Sequence, residues 1–185
     1  MAVKIGSIVL LLLLFFGLVK LQTYQNRNLN IKQSEIEKIL PLKLIIPKIN
    51  VSAKVQLVGV TEGGLMDVPK SVDEVGLFSL GPLPGEIGSS VITGHYDDEN
   101  GKQAVFYNLD KLVKGDKLII ENNDAIKTTF IVKEIKKYDE KYAEEIFSSN
   151  DMSHLNLVTC AGEWNKAVNS YSNRLVVFSD KLIEI

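Results

Sequence analysis

Hydrophobic positions follow two regimes along this chain. Residues 5–19 form one uncharged run dominated by Leu, Ile, Val and Phe, bracketed by Lys4 and Lys20. From Pro41 onward, apolar residues come in short runs separated by Gly, Pro, Asn and Asp. Such punctuated runs read as β-strands. They predict strands over 43–46, 54–58, 89–94, 117–121, 125–138, 154–160 and 174–181. Asn122-Asn123-Asp124 reads as a hairpin turn, and Gly81-Pro82-Leu83-Pro84-Gly85 as a loop. Helical signals are short, at 105–111 and 141–148. Seven or eight short strands with almost no long helix predict a mainly β fold, a closed or nearly closed barrel.

The first regime reads as a membrane segment. Fifteen apolar residues fall short of the roughly 20 that span a bilayer core. Val3 and Leu21 extend the run, and lysine stems reach along apolar surface to the headgroups. No Ala-x-Ala-like site follows, because the flank is Gly17-Leu18-Val19-Lys20-Leu21-Gln22. An uncleaved N-terminal transmembrane helix is therefore expected rather than a signal peptide. The organisation that results is an anchor at 1–21, a polar stalk at 22–40 and a β-barrel at 41–185. Within the stalk, Ser34 would cap a short helix that Pro41 stops. By basic-residue count, Lys20, Arg27 and Lys32 would hold the C-terminal side in the cytoplasm. That rule is weak when a long folded domain follows.

Composition narrows the chemistry. A chain of 185 residues with net charge −2 holds one domain with a real core and no basic block. Nucleic acid binding has no electrostatic support. Of 21 basic residues only Arg27 and Arg174 are arginines, and only Arg174 lies in the barrel region. Where lysine serves elsewhere, an arginine points to a need for the planar, multi-donor guanidinium. His95 and His154 are the two histidines, and Cys160 is the single cysteine. A lone thiol cannot close a disulfide within its chain, so it is inert filler, an intermolecular pairing site or a nucleophile.

The rare residues sit at expected strand edges. His95 follows the apolar strand ending at Gly94, Cys160 ends Leu155-Asn156-Leu157-Val158-Thr159-Cys160, and Arg174 opens Leu175-Val176-Val177-Phe178. Thiol, imidazole and guanidinium together can run acyl transfer: a thiolate attacks, histidine moves protons, and arginine donates to the developing oxyanion. His154 reads as a surface or strand-edge residue. The acidic run Asp97-Asp98-Glu99-Asn100 lacks the spacing of an EF-hand loop and reads as a solvated loop.

With those residues in place, the chain resembles the sortases, membrane-anchored cysteine transpeptidases of Gram-positive bacteria. The resemblance runs over about 41–181. It rests on Asn156-Leu157-Val158-Thr159-Cys160 against a Thr-Leu-x-Thr-Cys signature, Gly94-His95-Tyr96-Asp97, and Arg174 before Leu175-Val176-Val177. It also includes Leu44-Ile45-Ile46-Pro47-Lys48-Ile49, Pro84-Gly85-Glu86-Ile87-Gly88 and Ala104-Val105-Phe106-Tyr107-Asn108-Leu109. Asn156 replaces the signature's first threonine. Ala161-Gly162-Glu163 and the ending from Tyr171 to Phe178 look most like class F, with class D a near rival.

The resemblance implies cleavage of a Leu-Pro-x-Thr-Gly-like sorting signal of a secreted protein between Thr and Gly. Cys160 would be the nucleophile, His95 the acid and base, and Arg174 the oxyanion or carbonyl donor. An amine, usually of a peptidoglycan precursor, would resolve the thioacyl-enzyme, with no cofactor and no metal. The domain would then face outward, against the basic-residue count. Thr159, Trp164 and Asp97 are the expected supporting or substrate-contacting residues. Trp164 in the loop after the cysteine would line the peptide groove or cap the core. The rival class is a non-catalytic, membrane-tethered β-barrel that binds a wall component, for which Cys160→Ala would change nothing.

Overall fold

A computed structural model describes residues 15–24, 27, 42–139, 144–149 and 151–183. The chain divides into Met1–Leu40 and Pro41–Ile185. In the first unit, residues 15–24 are helical and expose Phe15, Phe16, Leu18 and Leu21. Among the described residues, no helix is long and apolar enough to cross a membrane. Residues 1–14 of the expected anchor and the expected stalk helix at 34–40 lie outside them.

The second unit is a closed barrel of eight strands. These are β1 (Leu42–Ile46), β2 (Val51–Val58), β3 (Val75–Phe78), β4 (Gly88–Gly94), β5 (Lys117–Glu121), β6 (Lys127–Asp139), β7 (Ser153–Asn165) and β8 (Ser170–Lys181). Around the barrel they run β1-β2-β3-β4-β7-β8-β6-β5. Pairing is antiparallel except at β2–β3 and β4–β7.

Alternation explains most strands. In β1, Leu42, Leu44 and Ile46 are buried while Lys43 is exposed. In β5, Leu118 and Ile120 point inward. The barrel interior is filled from β7 and β8 by Leu155, Leu157, Leu175 and Val177. Each such buried aliphatic side chain contributes about 1.5–3 kcal/mol.

β4 is buried along all seven residues, on both faces. The reason is a second, outer cluster of Val91 (β4), Val176 (β8) and Ile146. Val158, Tyr138 and Phe178 pack against it. Ile146 belongs to the helical turn Glu144–Phe147, which lies over the outside of the sheet. Asn156 donates to the Ile146 carbonyl at 2.7 Å and is buried. The residue that departs from the family signature thus anchors this turn.

Several expectations are corrected. β3 was not expected; it is four residues long and gains its place by parallel pairing with β2. The helix expected over 105–111 is only a 3-10 turn at Leu109–Lys111. The expected helix at 141–148 is the single turn Glu144–Phe147, with 141–143 outside the described residues. The turn at 122–124 is present: Asn122 Oδ1 accepts from the backbone N–H groups of Asp124 and Ile126.

The largest correction concerns β7 and β8, which have 13 and 12 residues. Cys160 does not end its strand, and Arg174 does not open its own. Gly162, expected to start a loop, has φ +84 and sits in a bulge between Ala161 and Trp164. An added Cβ would meet Ser172 Oγ at 2.3 Å. Beyond the bulge, pairing resumes at Trp164↔Tyr171 and Asn165↔Ser170. A bulge adds one residue and bends the strand without ending it.

Candidate active site

The barrel's strand order brings the three rare residues into one row. On β7 and β8, Cys160 and Arg174 are direct cross-strand partners. Such partners place their side chains on the same face of a sheet. That face is the outer one, because Val158 and Val176, two positions away, belong to the outer cluster. On the other side of β7, β4 pairs in parallel through Thr93↔Val158. Continuing that register by two residues brings His95, just past the end of β4, level with Cys160. Neighbouring strands lie about 4.8 Å apart. Beyond Arg174, Tyr138 of β6 completes the row.

His95 is fixed from three directions. Its Nε2 lies 2.7 Å from the Pro69 carbonyl. A carbonyl only accepts, so Nε2 carries a proton, and Nδ1 is the nitrogen available for exchange. The His95 carbonyl accepts from Phe106 N–H at 2.9 Å. Just before it, the Gly94 carbonyl accepts from Thr159 Oγ1 at 2.8 Å. Thr159 is buried, so this bond ties the end of β4 to the residue preceding the thiol. Gly94 is required here: an added Cβ would meet the Phe106 ring at 2.6 Å.

Arg174 is half-buried and engaged with its own strand. Nη1 donates to the carbonyls of Tyr171 at 3.0 Å and Asn173 at 2.9 Å, and Nη2 to Ser170 Oγ at 3.3 Å. These bonds hold the guanidinium over the β7–β8 hairpin.

Cys160 is half-buried and opens onto a cleft of about 410 Å³. His95 and the 96–101 loop form one wall, and Trp164 and Tyr171 the other. Trp164 lies in the β7 extension, not in a loop, and is 47% exposed. It lines this cleft and does not cap the core. Its ring meets Tyr171 edge-on at 5.1 Å; Tyr171 meets Tyr96 at 5.6 Å, and Tyr96 stacks on Tyr107 at 4.8 Å. The Tyr171 hydroxyl donates to Asp97 Oδ2. Burial, and after it the bond to Asp97, pushes the Tyr171 hydroxyl well above the usual tyrosine pKa. Asp98 closes its own loop, accepting from the N–H groups of Asn100 and Lys102 at 2.9 and 2.8 Å.

Thr159, Trp164 and Asp97, the expected supporting residues, all lie around the thiol. Tyr96 and Tyr171, which had no expected role, lie there too. The available signal was aromatic density: Tyr96, Tyr107, Trp164 and Tyr171 flank the histidine and cysteine segments. His154 is a correction. It is 8% exposed rather than superficial. Nδ1 lies 2.8 Å from Asp180 Oδ1, and Nε2 lies 2.8 Å from Ser149 Oγ and 3.0 Å from Asp151 Oδ1. Asp180 is its cross-strand partner, so the extended β8 brings an acid opposite it.

The Sortase domain family model matches residues 44–182. The fold is similar to that of a lid mutant of sortase A from Corynebacterium diphtheriae (22% identity, TM-score 0.62, covering 79% of this chain and 72% of that one). It is also similar to sortase C1 from Streptococcus agalactiae (27%, 0.59, 80% and 69%) and sortase C-1 from Actinomyces oris (22%, 0.62, 81% and 77%). No curated protein sequence matches significantly. With the family match running from β1 past the end of β8, over a barrel of the same fold, the chain belongs to the sortase family, whose members are cysteine transpeptidases of the cell wall.

Proposed function

We propose that this protein is a membrane-anchored transpeptidase that cleaves a Leu-Pro-x-Thr-Gly-like sorting signal between Thr and Gly. It transfers the protein so released to an amine of the cell wall. The observation that carries this reading is the row of His95 just past β4, Cys160 on β7 and Arg174 on β8, in which His95 and Cys160 line one cleft and Arg174 is the cross-strand partner of the thiol.

Cys160 Sγ, as thiolate, attacks the threonine carbonyl carbon. The oxyanion that forms is stabilised by Arg174, whose charge is fixed over the hairpin. His95 gives a proton to the leaving glycine amine, and the C–N bond breaks, leaving a thioester on Cys160. The acceptor amine then attacks that thioester, His95 takes its proton, and the C–S bond breaks. Tyr96 from one wall and Tyr171 and Trp164 from the other supply the aromatic surface against which the sorting peptide lies. The anchor reading rests on the uncharged run at 5–19, and with it the barrel stands outside the membrane, where sorting substrates and wall amines meet.

The test is mass spectrometry of the full chain in detergent micelles after incubation with a library of sorting-signal peptides. A thioester adduct confined to Cys160, released by hydroxylamine and absent in Cys160→Ala, is expected. No adduct across the library, with a thiol inert to alkylation, would leave a binding barrel in its place.

A further inference from the structure

One side chain outside the proposed trio touches the supports of both its partners. Tyr171 lies on β8, in the hairpin that carries Cys160 and Arg174. Its hydroxyl donates to Asp97 Oδ2, two residues after His95. Its backbone carbonyl accepts from Arg174 Nη1 at 3.0 Å. Its ring packs edge-on against Tyr96, the residue next to His95, at 5.6 Å. Together these bonds close a loop running from His95 through Asp97 and Tyr171 to Arg174.

The loop spans a gap that the sheet leaves open. Ladder pairing between β4 and β7 ends at Thr93↔Val158, two residues before His95. Past that point, no strand pairing fixes how far the His95 segment stands from β7. Thr159 Oγ1 bonded to Gly94 holds it from one side. The Tyr171–Asp97 bond holds it from the other, across the cleft.

We propose that Tyr171 is a positioning residue. Through Asp97 it sets the distance of His95 from Cys160, and through its carbonyl it sets the direction of Arg174. The inference rests on the catalytic roles proposed above for those three residues. A half-buried hydroxyl bonded to a carboxylate suits the task, because a charge-assisted bond is strong and directional. Proton transfer between thiol and imidazole is sensitive to such spacing, and a misplacement near 1 Å can cost about 10²-fold.

The test uses the full chain in detergent micelles and two readouts. One is the rate of Cys160 alkylation by iodoacetamide as a function of pH, which needs no substrate peptide. The other is thioester formation with the best sorting peptide. Tyr171→Phe keeps the ring and the carbonyl and removes only the hydroxyl. It is expected to shift the alkylation pH profile and to lower kcat about tenfold, with KM for the peptide little changed. Asp97→Ala should do the same, and the double variant should be no worse than either single one, as for two ends of one bond. Asp97→Asn, which keeps an acceptor oxygen, should recover part of the rate.

A Tyr171→Phe protein with the wild-type profile and kcat overturns the inference. A protein that melts earlier but alkylates as the wild type does overturns it equally, because the residue is then only structural. If the wild-type protein forms no thioester with any peptide, the proposed function falls, and the alkylation profile still decides whether Tyr171 positions the pair.

Discussion

Strand β7 meets one histidine at its start and another at its middle, and the two are held in opposite ways. At the beginning of the strand, His154 is buried and uses both ring nitrogens, on Asp180 to one side and on Ser149 and Asp151 to the other. Further along, His95 stands level with Cys160, and its ring has one hydrogen bond among the described residues, to the Pro69 carbonyl. The first arrangement saturates the imidazole and turns it into a bracket between β7, β8 and the segment before β7. The second fixes the ring's orientation through one nitrogen and leaves the other for chemistry. Being one of a chain's few histidines does not make a residue functional; how many of its nitrogens the fold consumes is the better criterion.

The sharpest way to break that contrast is His95→Gln. It should lower thioester formation by about 10²–10⁴-fold, the usual worth of a general acid and base, with the melting temperature little changed. Stopped-flow or quenched-flow assay of the Cys160 adduct checks it; a loss under tenfold would take His95 out of proton transfer. Next comes Arg174→Lys, which keeps the charge but loses the fork that spans Tyr171, Asn173 and Ser170. Activity should fall about 10²-fold, read as kcat/KM on the sorting peptide. Near-normal turnover would remove the oxyanion role.

His154→Leu should do the reverse of His95→Gln. It removes the hydrogen bonds to Asp180, Ser149 and Asp151, leaves Asp180, among the described residues, only its ion pair with Lys133, and should cost about 1–3 kcal/mol of stability, measured by urea denaturation. The alkylation rate of Cys160 should stay as it is. Equal damage to both readouts would erase the distinction between the two histidines.

The smallest effect is in alkali. Tyr138 and Tyr171 have hydroxyl pKa values raised by burial, with the carboxylates of Glu145 and Asp97 adding to it. A raised value favours the protonated, folded form. The stability these groups supply is therefore complete below the ordinary tyrosine pKa of about 10 and is lost as pH climbs toward the folded values. Absorbance titration near 295 nm should show late-ionising rings, one fewer in Tyr171→Phe. Ordinary titration of both would contradict their burial.

Legibility in the sequence follows the same division. Cys160, His95 and Arg174 stand out because cysteine, histidine and barrel arginine are scarce and lie beside apolar strands; that they lie side by side shows only in the strand order. The strand at 117–121 was readable because the short apolar run Leu118-Ile119-Ile120 is bounded by turn residues, Gly115-Asp116 before it and Asn122-Asn123-Asp124 after it. The continuation of β7 was not, since Gly162 looks like a stop and residues 163–173 are mostly polar. Only the facing strand, which supplies Trp164↔Tyr171 and Asn165↔Ser170, makes that stretch extended. His154 was misread for a similar reason: its acid, Asp180, is 26 residues away in the chain and becomes a neighbour only through the β7–β8 register. The tie from Tyr171 to Asp97 spans 74 residues, and nothing in local pattern announces it.

The parallel pairing of β4 with β7 has a temporal meaning as well. Gly94 and Thr159, which meet across this pairing, are 65 positions apart in the chain, one of the more distant closures in the barrel. Contacts of such separation form late, after local hairpins have reduced the loop that must be closed. A chain emerging from its N-terminus therefore carries His95 long before it has Cys160, and Arg174 only after both. With the roles proposed above for these residues, an unfinished domain presents its thiol without its partners, and the partners join it only when the last hairpin closes the barrel.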